Sequence, residues 1–425
     1  TLYPINSDTP LIHSRMKNIA IIGAGAAGCF CAQRLKELRP EAKVTVFESH
    51  SKPLAKVSVT GGGRCNLTNS FREISNLADA YPRGASLMKK LFRRFGHEET
   101  CRWFEDMGVR LVVQEDQCVF PASQDAMEIV NVLIRAMRES GVKVRTKARV
   151  KGLEQVQNGW KIMSDNAGET FDSVLVTTGG CTGTGWQALF SGLDLEIVSP
   201  VPSLFSMKID DPALKEMMGT VVEDATVSIP GTKFRGCGPL LVTDWGLSGP
   251  AILKLSSAAA RYLSENGYQS GLVVNWFGGT GVGEITAMLK GLAASNPKKL
   301  ISNAFPDIFN ARLWRYFLCK MNISQEMRWA ETGSRTINRI AERLHADEFR
   351  IVGRNRFKSE FVTCGGVSLK EINSGTMEAR KYPGLFFAGE VTDVDAITGG
   401  FNLQAAWSMG YAAAEGICGK SAGIL

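Results

Sequence analysis

At 425 residues, with 44% hydrophobic and 21% charged side chains, the chain is too long for one ordinary core, and two or three globular domains are expected. No apolar run approaches the roughly 20 residues that cross a bilayer, which argues against a membrane protein. Ten cysteines without a C-x-x-C pair, and four histidines with none at ligand spacing, exclude a disulfide framework or zinc site and point to reduced thiols in a cytoplasm. Residues 1–15 lack the basic start and apolar core of a secretory signal, and a disordered tail is expected there, with the first domain starting at 16.

Lys17 to Glu48 carries the first strong signal. Ile19–Ile22 reads as a buried parallel strand. Gly23, Gly25 and Gly28 follow in the spacing G-x-G-x-x-G, Ala26–Leu38 reads as a helix, and Val44–Phe47 as a second strand. Glu48 lies 20 residues beyond Gly28. In this context Gly23 permits the turn, Gly25 admits a pyrophosphate, and Gly28 lets the helix pack closely on the strand. The helix N-terminus at Ala26 and Ala27 offers bare N–H groups to the phosphates. Glu48 can accept the ribose hydroxyls and would repel a 2′-phosphate. A polar, glycine-rich stretch comes next, Leu54–Asn69, with Gly61, Gly62 and Gly63 in a row and Arg64, Asn66, Thr68 and Asn69 close by. It suits a loop lying over a cofactor.

Residues 84–107 are helical in pattern, Leu111–Phe120 reads as a hairpin and Ala126–Glu139 as a helix. Val142–Val144, Ala148–Val156 and Trp160–Met163 alternate as short strands. Ser173–Thr177 is a further buried strand. The TTGG turn after it, with Thr178 and Gly179, has no acid at ribose distance and reads as a strand-end turn near the cofactor. Cys181 beyond it is read as a packing residue. From Ile197 prolines punctuate short β-segments, and residues 282–350 turn mostly helical, an inserted region without nucleotide motifs. Between Lys298 and Phe357 twelve Lys or Arg stand against six Asp or Glu, much of the net charge of +7. Such a block is either a solvated helical surface or a platform for an anionic partner, substrate or nucleic acid.

Val362–Val367 resumes a strand, and Leu385–Ala388 runs as another into Gly389-Glu390. A glycine-rich connection then leads through Gly399, Gly400, Phe401 and Asn402 into a closing helix, Phe401–Ile417. A second bare helix N-terminus, reached from the opposite end of the chain, suits a long ligand with an electron-rich far end. A flavin dinucleotide has that form: pyrophosphate at Gly23–Gly28, ring pyrimidine edge at Gly399–Asn402.

Together these segments resemble the two-dinucleotide-binding flavoproteins, and within them the HI0933-like (YhiN/BaiN-type) NAD(P)/FAD-dependent oxidoreductases. The matching motifs are GAGAAG with Glu48, TGGGRCNLTN, GLSGPAIL, VTCGGV and GEVTDVDAITGGFNLQAAWSMG, which span nearly the whole chain from Met16. The resemblance implies an α/β fold: a Rossmann-like FAD-binding domain split in sequence, with an inserted β-barrel-like module and a helical subdomain. The expected bounds are 16–196 and 358–425 for the FAD domain, 197–281 for the β-rich module and 282–357 for the helical subdomain. It implies non-covalent FAD held by the first glycines with Ala26 and Ala27, by Glu48, by Lys56, Gly62, Gly63, Arg64 and Asn66, and by backbone near Val150. Gly389, Glu390 and the Gly399–Asn402 turn complete the set. The sequence departs from the family where its usual basic residue ahead of the glycine triplet is reduced to Lys56.

The function expected is FAD-dependent reduction of a small or medium organic substrate by hydride transfer at flavin N5, in a cytoplasmic enzyme. NADH or NADPH would dock transiently as donor, since no separate nucleotide domain is visible. Polar candidates near the ring are Cys65, Asn66, Cys364 and Asp395, none of them a required proton donor. A flavin-dependent oxidase of an amine or carbonyl compound, an RNA-modifying flavoprotein and a non-enzymatic flavin sensor remain as alternatives, and the oligomeric state is open. Members of the family differ in substrate, so none carries over.

Overall fold

The computed structural model describes residues 17–164, 168–180, 185–355 and 362–419. The expected tail and Cys181 lie outside them. The central sheet has five parallel strands in the order Leu385–Phe387, Ser173–Val176, Asn18–Ile22 (β1), Lys43–Phe47 (β2) and Lys143–Arg145. β1 is flanked on both sides and covered on both faces, which is why Ile19 to Ile22 is an unbroken apolar run. On one face Ala26–Leu38 (α1) is packed against the closing helix, Phe401–Ile417. That crossing is close: a Cβ on Gly410 would sit 2.8 Å from the carbonyl oxygen of Ala27. Cys29 and Cys31 are both buried, on different sides of α1. The other face is covered by an antiparallel sheet of Val150–Val156, Gly159–Ser164 and Gly168–Phe171. There Phe171 meets Phe47 of β2 edge-on, ring centroids 5.8 Å apart.

A second core belongs to a closed antiparallel barrel of six strands: Met207–Ile209, Gly246–Ser248, Arg235–Thr243, Val221–Ser228, Ser270–Asn275 and Asp347–Arg354. The helix Pro250–Ala258 packs across Arg235–Thr243, where a Cβ on Gly236 would run into the Ala251 carbonyl. Helices Val282–Ser295, Ala311–Lys320 and Ser334–His345 are inserted between the last two barrel strands. The expected helical block therefore ends earlier than 357. Asp347–Arg354 alternates buried and exposed residues and closes the barrel, a period-two pattern obscured by the charges flanking it. Ile197–Ser203, assigned above to the β-rich module, pairs instead with Val362–Val367, outside the barrel. These two strands connect the barrel to the parallel-sheet domain.

The basic block is partly occupied inside the protein. Buried Asp347 accepts from the indole of Trp276 at 3.1 Å and pairs with Lys320 at 2.8 Å and Arg343 at 3.5 Å. Arg328 and Arg339 donate to the carbonyls of Lys298 and Met321, and Arg312 to that of Glu216. Lys298, Lys299, Arg315, Arg335 and Arg350 are exposed.

Candidate functional site

The carboxyl ends of the parallel strands share one edge, and strand order reverses across β1, where an open α/β sheet takes its ligand. Gly23 leaves β1 with φ of 109°, and a Cβ there would run into the Thr177 carbonyl. A Cβ on Gly28 would strike the carbonyl of Gly23. Gly25 differs: nothing lies within 4 Å of its Cβ position. The first and third glycines serve the fold, and the second leaves room for a ligand. Gly25 caps α1 without a side-chain hydrogen bond, and no acid stands in the first turn, so the amides of Ala26 and Ala27 open the helix without a side-chain acceptor of its own. Glu48 is held against the turn, Oε2 accepting from the Ala24 amide at 2.9 Å and Oε1 from the His50 amide at 2.8 Å.

The 54–69 loop wraps the same edge, with the Leu54 amide donating to the Ala24 carbonyl at 2.7 Å. Gly61, Gly62 and Gly63 all have positive φ, and nothing lies within 4 Å of the Cβ positions of the last two. Arg64 turns back on the loop, donating to the Gly61 carbonyl at 3.1 Å and lying 4.4 Å over the Phe120 ring. Cys65 is fully buried, and burial pushes its thiol up to about 12, leaving no thiolate for redox work. Asn66 is a splice: in the amide orientation that satisfies both neighbours, its Nδ2 donates to the Thr68 carbonyl at 2.9 Å and its Oδ1 accepts from the Gly400 amide at 3.2 Å. Asn69 Nδ2 donates to the Gly399 carbonyl at 3.1 Å.

The structure thus brings the second glycine turn against this loop. Gly400 caps the closing helix in the left-handed region, with φ of 89°, and a Cβ there would run into the Thr68 carbonyl. Asn66 already takes the Gly400 amide, so the open groups of this helix end begin at Phe401 and Asn402. The Asn402 side chain faces its own loop, accepting from the Ala396 amide at 2.9 Å and donating to its carbonyl at 3.0 Å. Ala27, in the first turn of α1, lies against Gly410, nine residues into the closing helix. At 1.5 Å per residue the two bare helix ends are about 14 Å apart, a span that one long ligand bridges.

Thr178 and Gly179 follow their strand onto this edge, where the Gly179 Cβ position is 3.8 Å from Glu390 Oε2. Val150 is half-buried at the start of the covering sheet. Asp395 and Cys364, the other polar candidates, are both fully buried. Asp395 is engaged by Arg83 and accepts from Ser203 Oγ at 3.1 Å, and burial lifts its carboxyl above the ordinary value against the pull of Arg83. Burial, with Asp395 nearby, pushes the Cys364 thiol up to about 11. Asp395 is thus taken up by Arg83 and Ser203, and Cys364 is sealed from solvent. Sequence reasoning missed Thr177, whose hydroxyl donates to the carbonyls of Ile22 and Gly23 at 3.1 and 2.8 Å, and Gln404, which accepts from Thr68. Thr177 had a signal, since it opens the TTGG turn. Arg83, in a bare Pro-Arg-Gly connection, had none.

Residues 17–416 match the family described as the HI0933-like protein Rossmann domain. The chain belongs to that family. It is 26% identical to the 3-dehydro-bile acid delta(4,6)-reductase of Clostridium scindens, over 94% of this chain and 98% of that one. It is 28% identical to the ribosomal RNA dihydrouridine synthase of Haemophilus influenzae, over 93% and 97% of the two chains. Among solved structures, a point mutant of the FrdA subunit of Escherichia coli quinol fumarate reductase aligns over 95% of this chain and 70% of its own. That alignment has a TM-score of 0.50 at 14% identity, which speaks to fold alone. The HI0933-like chain is an FAD-dependent oxidoreductase, and the open cradle at Gly25, Gly62 and Gly63 between two uncapped helix ends fits that cofactor. Among the described residues no helix is long and apolar enough to cross a membrane, and no group of three or more His, Cys, Asp or Glu could hold a metal.

Proposed function

We propose that this protein is a flavin-dependent reductase of a carbon–carbon double bond conjugated to a carbonyl, with NADH or NADPH as transient donor. The observation that carries the reading is the pair of uncapped helix ends, about 14 Å apart along the closing helix. Ala26 and Ala27 would hold the pyrophosphate, with Glu48 on the adenosine ribose. Phe401 and Asn402, by their backbone amides, would face the electron-rich ring edge. There the helix dipole favours negative charge as the ring is reduced. When bound, the flavin supplies hydride chemistry at N5. The chain's own part is orientation: Asn66 and Asn69 fix the Gly399–Gly400 turn, and the Asn402 side chain fixes the loop before it.

The bond class rests on what two relatives are named for. One reduces a delta(4,6) bond system in a 3-dehydro compound, and the other makes dihydrouridine, which is uridine hydrogenated across its ring double bond. The test is an anaerobic titration of the purified protein with NADH and NADPH, watching the flavin band. Bleaching by either supports the reading, and reoxidation by an enone then identifies the bond class. A bound flavin that neither nucleotide bleaches points to an oxidase, whose substrate is the reductant, or to a sensor. No bound flavin removes the reading.

A second reading takes ribosomal RNA as the substrate carrier. It is favoured by the synthase relatives and by exposed Lys298, Lys299, Arg315, Arg335 and Arg350 around the inserted helices. Salt-sensitive retention of ribosomal RNA by the full chain, weakened by charge reversal at Lys298 and Lys299, would support it. Retention unaffected by those changes would count against this surface.

A further inference from the structure

Lys56 and Glu390 come from opposite sides of the parallel sheet and meet over its carboxyl edge. Lys56 follows β2, in a segment tied to the glycine turn through the Leu54 amide and the Ala24 carbonyl. Glu390 follows Leu385–Phe387, the edge strand three positions from β2. At about 4.8 Å per strand that is roughly 14 Å of sheet, and the ends of β1 and Ser173–Val176 lie beneath. The ammonium of Lys56 nonetheless reaches Glu390 Oε2 at 3.0 Å. The Glu390 end of this bridge is fixed. Its Oε1 accepts from the Thr363 amide at 2.8 Å, and a Cβ on neighbouring Gly180 would crowd the same oxygen at 2.6 Å. Gly389, with φ of 80°, brings the backbone so close that its Cβ would lie 3.0 Å from that of Ala27 in the first turn of α1. The Lys56 end stands in solvent, its side chain 62% exposed against 21% for Glu390.

We propose that the Lys56–Glu390 ion pair is a strap across the dinucleotide cleft, closed over the middle of the bound cofactor, and that its opening gates cofactor release. The inference rests on the flavin reading above. An anchored carboxylate and a solvent-exposed lysine make a contact that is individually weak, as a gate requires. It also gives the lysine ahead of the glycine triplet a partner in the protein rather than in the cofactor.

The experiment measures FAD dissociation from the holoprotein by the return of flavin fluorescence, for wild type, K56Q, E390Q and the double variant. Each single change is expected to speed release by about two- to fivefold, the range an exposed ion pair allows. The double variant is expected to match either single one, and added salt to speed release only from wild type. Faster release from K56Q with E390Q unchanged would make Lys56 a direct phosphate ligand and overturn the strap. Effects that multiply in the double variant, or no effect in either single one, would also overturn it. Circular dichroism of each variant separates loss of the strap from loss of fold. Wild-type protein that binds no FAD would instead fail the cofactor reading.

Discussion

The guanidinium of Arg83 grips the carboxylate of Asp395 through two nitrogens, and its Nη2 also donates to the Ser257 carbonyl at 2.9 Å. Asp395 belongs to the loop that leads into the closing helix, and Ser257 to the helix packed on the barrel. One side chain therefore fastens the cofactor domain to the inserted barrel. Asp395 is fully buried, so removing its partner strands a charge. Arg83→Leu should lower stability by about 3–5 kcal/mol, measured by urea unfolding. The double variant Arg83→Leu/Asp395→Leu should recover part of that loss, since it leaves no buried charge behind. A single variant within about 1 kcal/mol of wild type, the worth of an exposed pair, would show that Asp395 does not depend on this contact.

The glycines of the first turn should separate fold from ligand. Gly28→Ala puts a methyl into the Gly23 carbonyl and Thr177 Oγ1, so it should weaken the fold as well as cofactor binding. Gly25→Ala meets no protein atom within 4 Å. The Gly25→Ala apoprotein should melt within a degree or two of wild type, about the effect of a few tenths of a kcal/mol, while FAD affinity falls at least tenfold. Calorimetry of the apoproteins and FAD titration check the two halves. Equal affinities for Gly25→Ala and wild type would mean that the cofactor does not approach this turn.

Much of this site was legible because its signals are local. The G-x-G-x-x-G spacing, the acid at Glu48 and the helix from Ala26 to Leu38 all fall within one strand–helix–strand unit, and the structure keeps these positions. The closing helix Phe401–Ile417 was legible for the same reason, as an Ala-rich run behind two glycines. What depends on distant partners was hidden. The strand Asp347–Arg354 becomes part of a barrel only by pairing with Ser270–Asn275 and Met207–Ile209, and its charged neighbours read as helix. Arg83 finds Asp395 across 312 residues, and the burial of Cys364 and Asp395, both named as polar candidates near the ring, cannot be read from a short motif.

Burial also decides the thiol chemistry. Cys65 and Cys364 are sealed from solvent with their pKa values pushed up, whereas Cys237 and Cys319 are exposed. Among the described cysteines, a disulfide reagent added to native protein should modify Cys237 and Cys319 first, with Cys65 and Cys364 reacting only after unfolding. Cys65→Ala should change the rate of flavin reduction by less than about twofold, well under the tenfold of a 1.4 kcal/mol effect. Mass spectrometry of the labelled protein and anaerobic stopped-flow test the two statements. Rapid labelling of Cys65 in the native state would restore it as a redox candidate.

His97 provides the pH dependence. Its ring stands 5.3 Å from Phe71, which in turn packs edge-on against Phe401 at the start of the closing helix. Burial lowers the pKa of His97 below 6.5, against the opposing pull of Glu98 and Glu99. The folded state therefore takes up a proton here less readily than the unfolded chain. The stability this lends is fully present above pH 6.5 and is lost as pH falls through that value towards the folded pKa. Wild-type stability should decline between pH 7.5 and 5.5, a window about one unit either side of the ordinary histidine value, and His97→Gln should flatten part of that decline. Urea midpoints for both proteins across this range decide it. Parallel slopes would mean that the Phe71 side of the site is insensitive to protonation and that the decline comes from other groups.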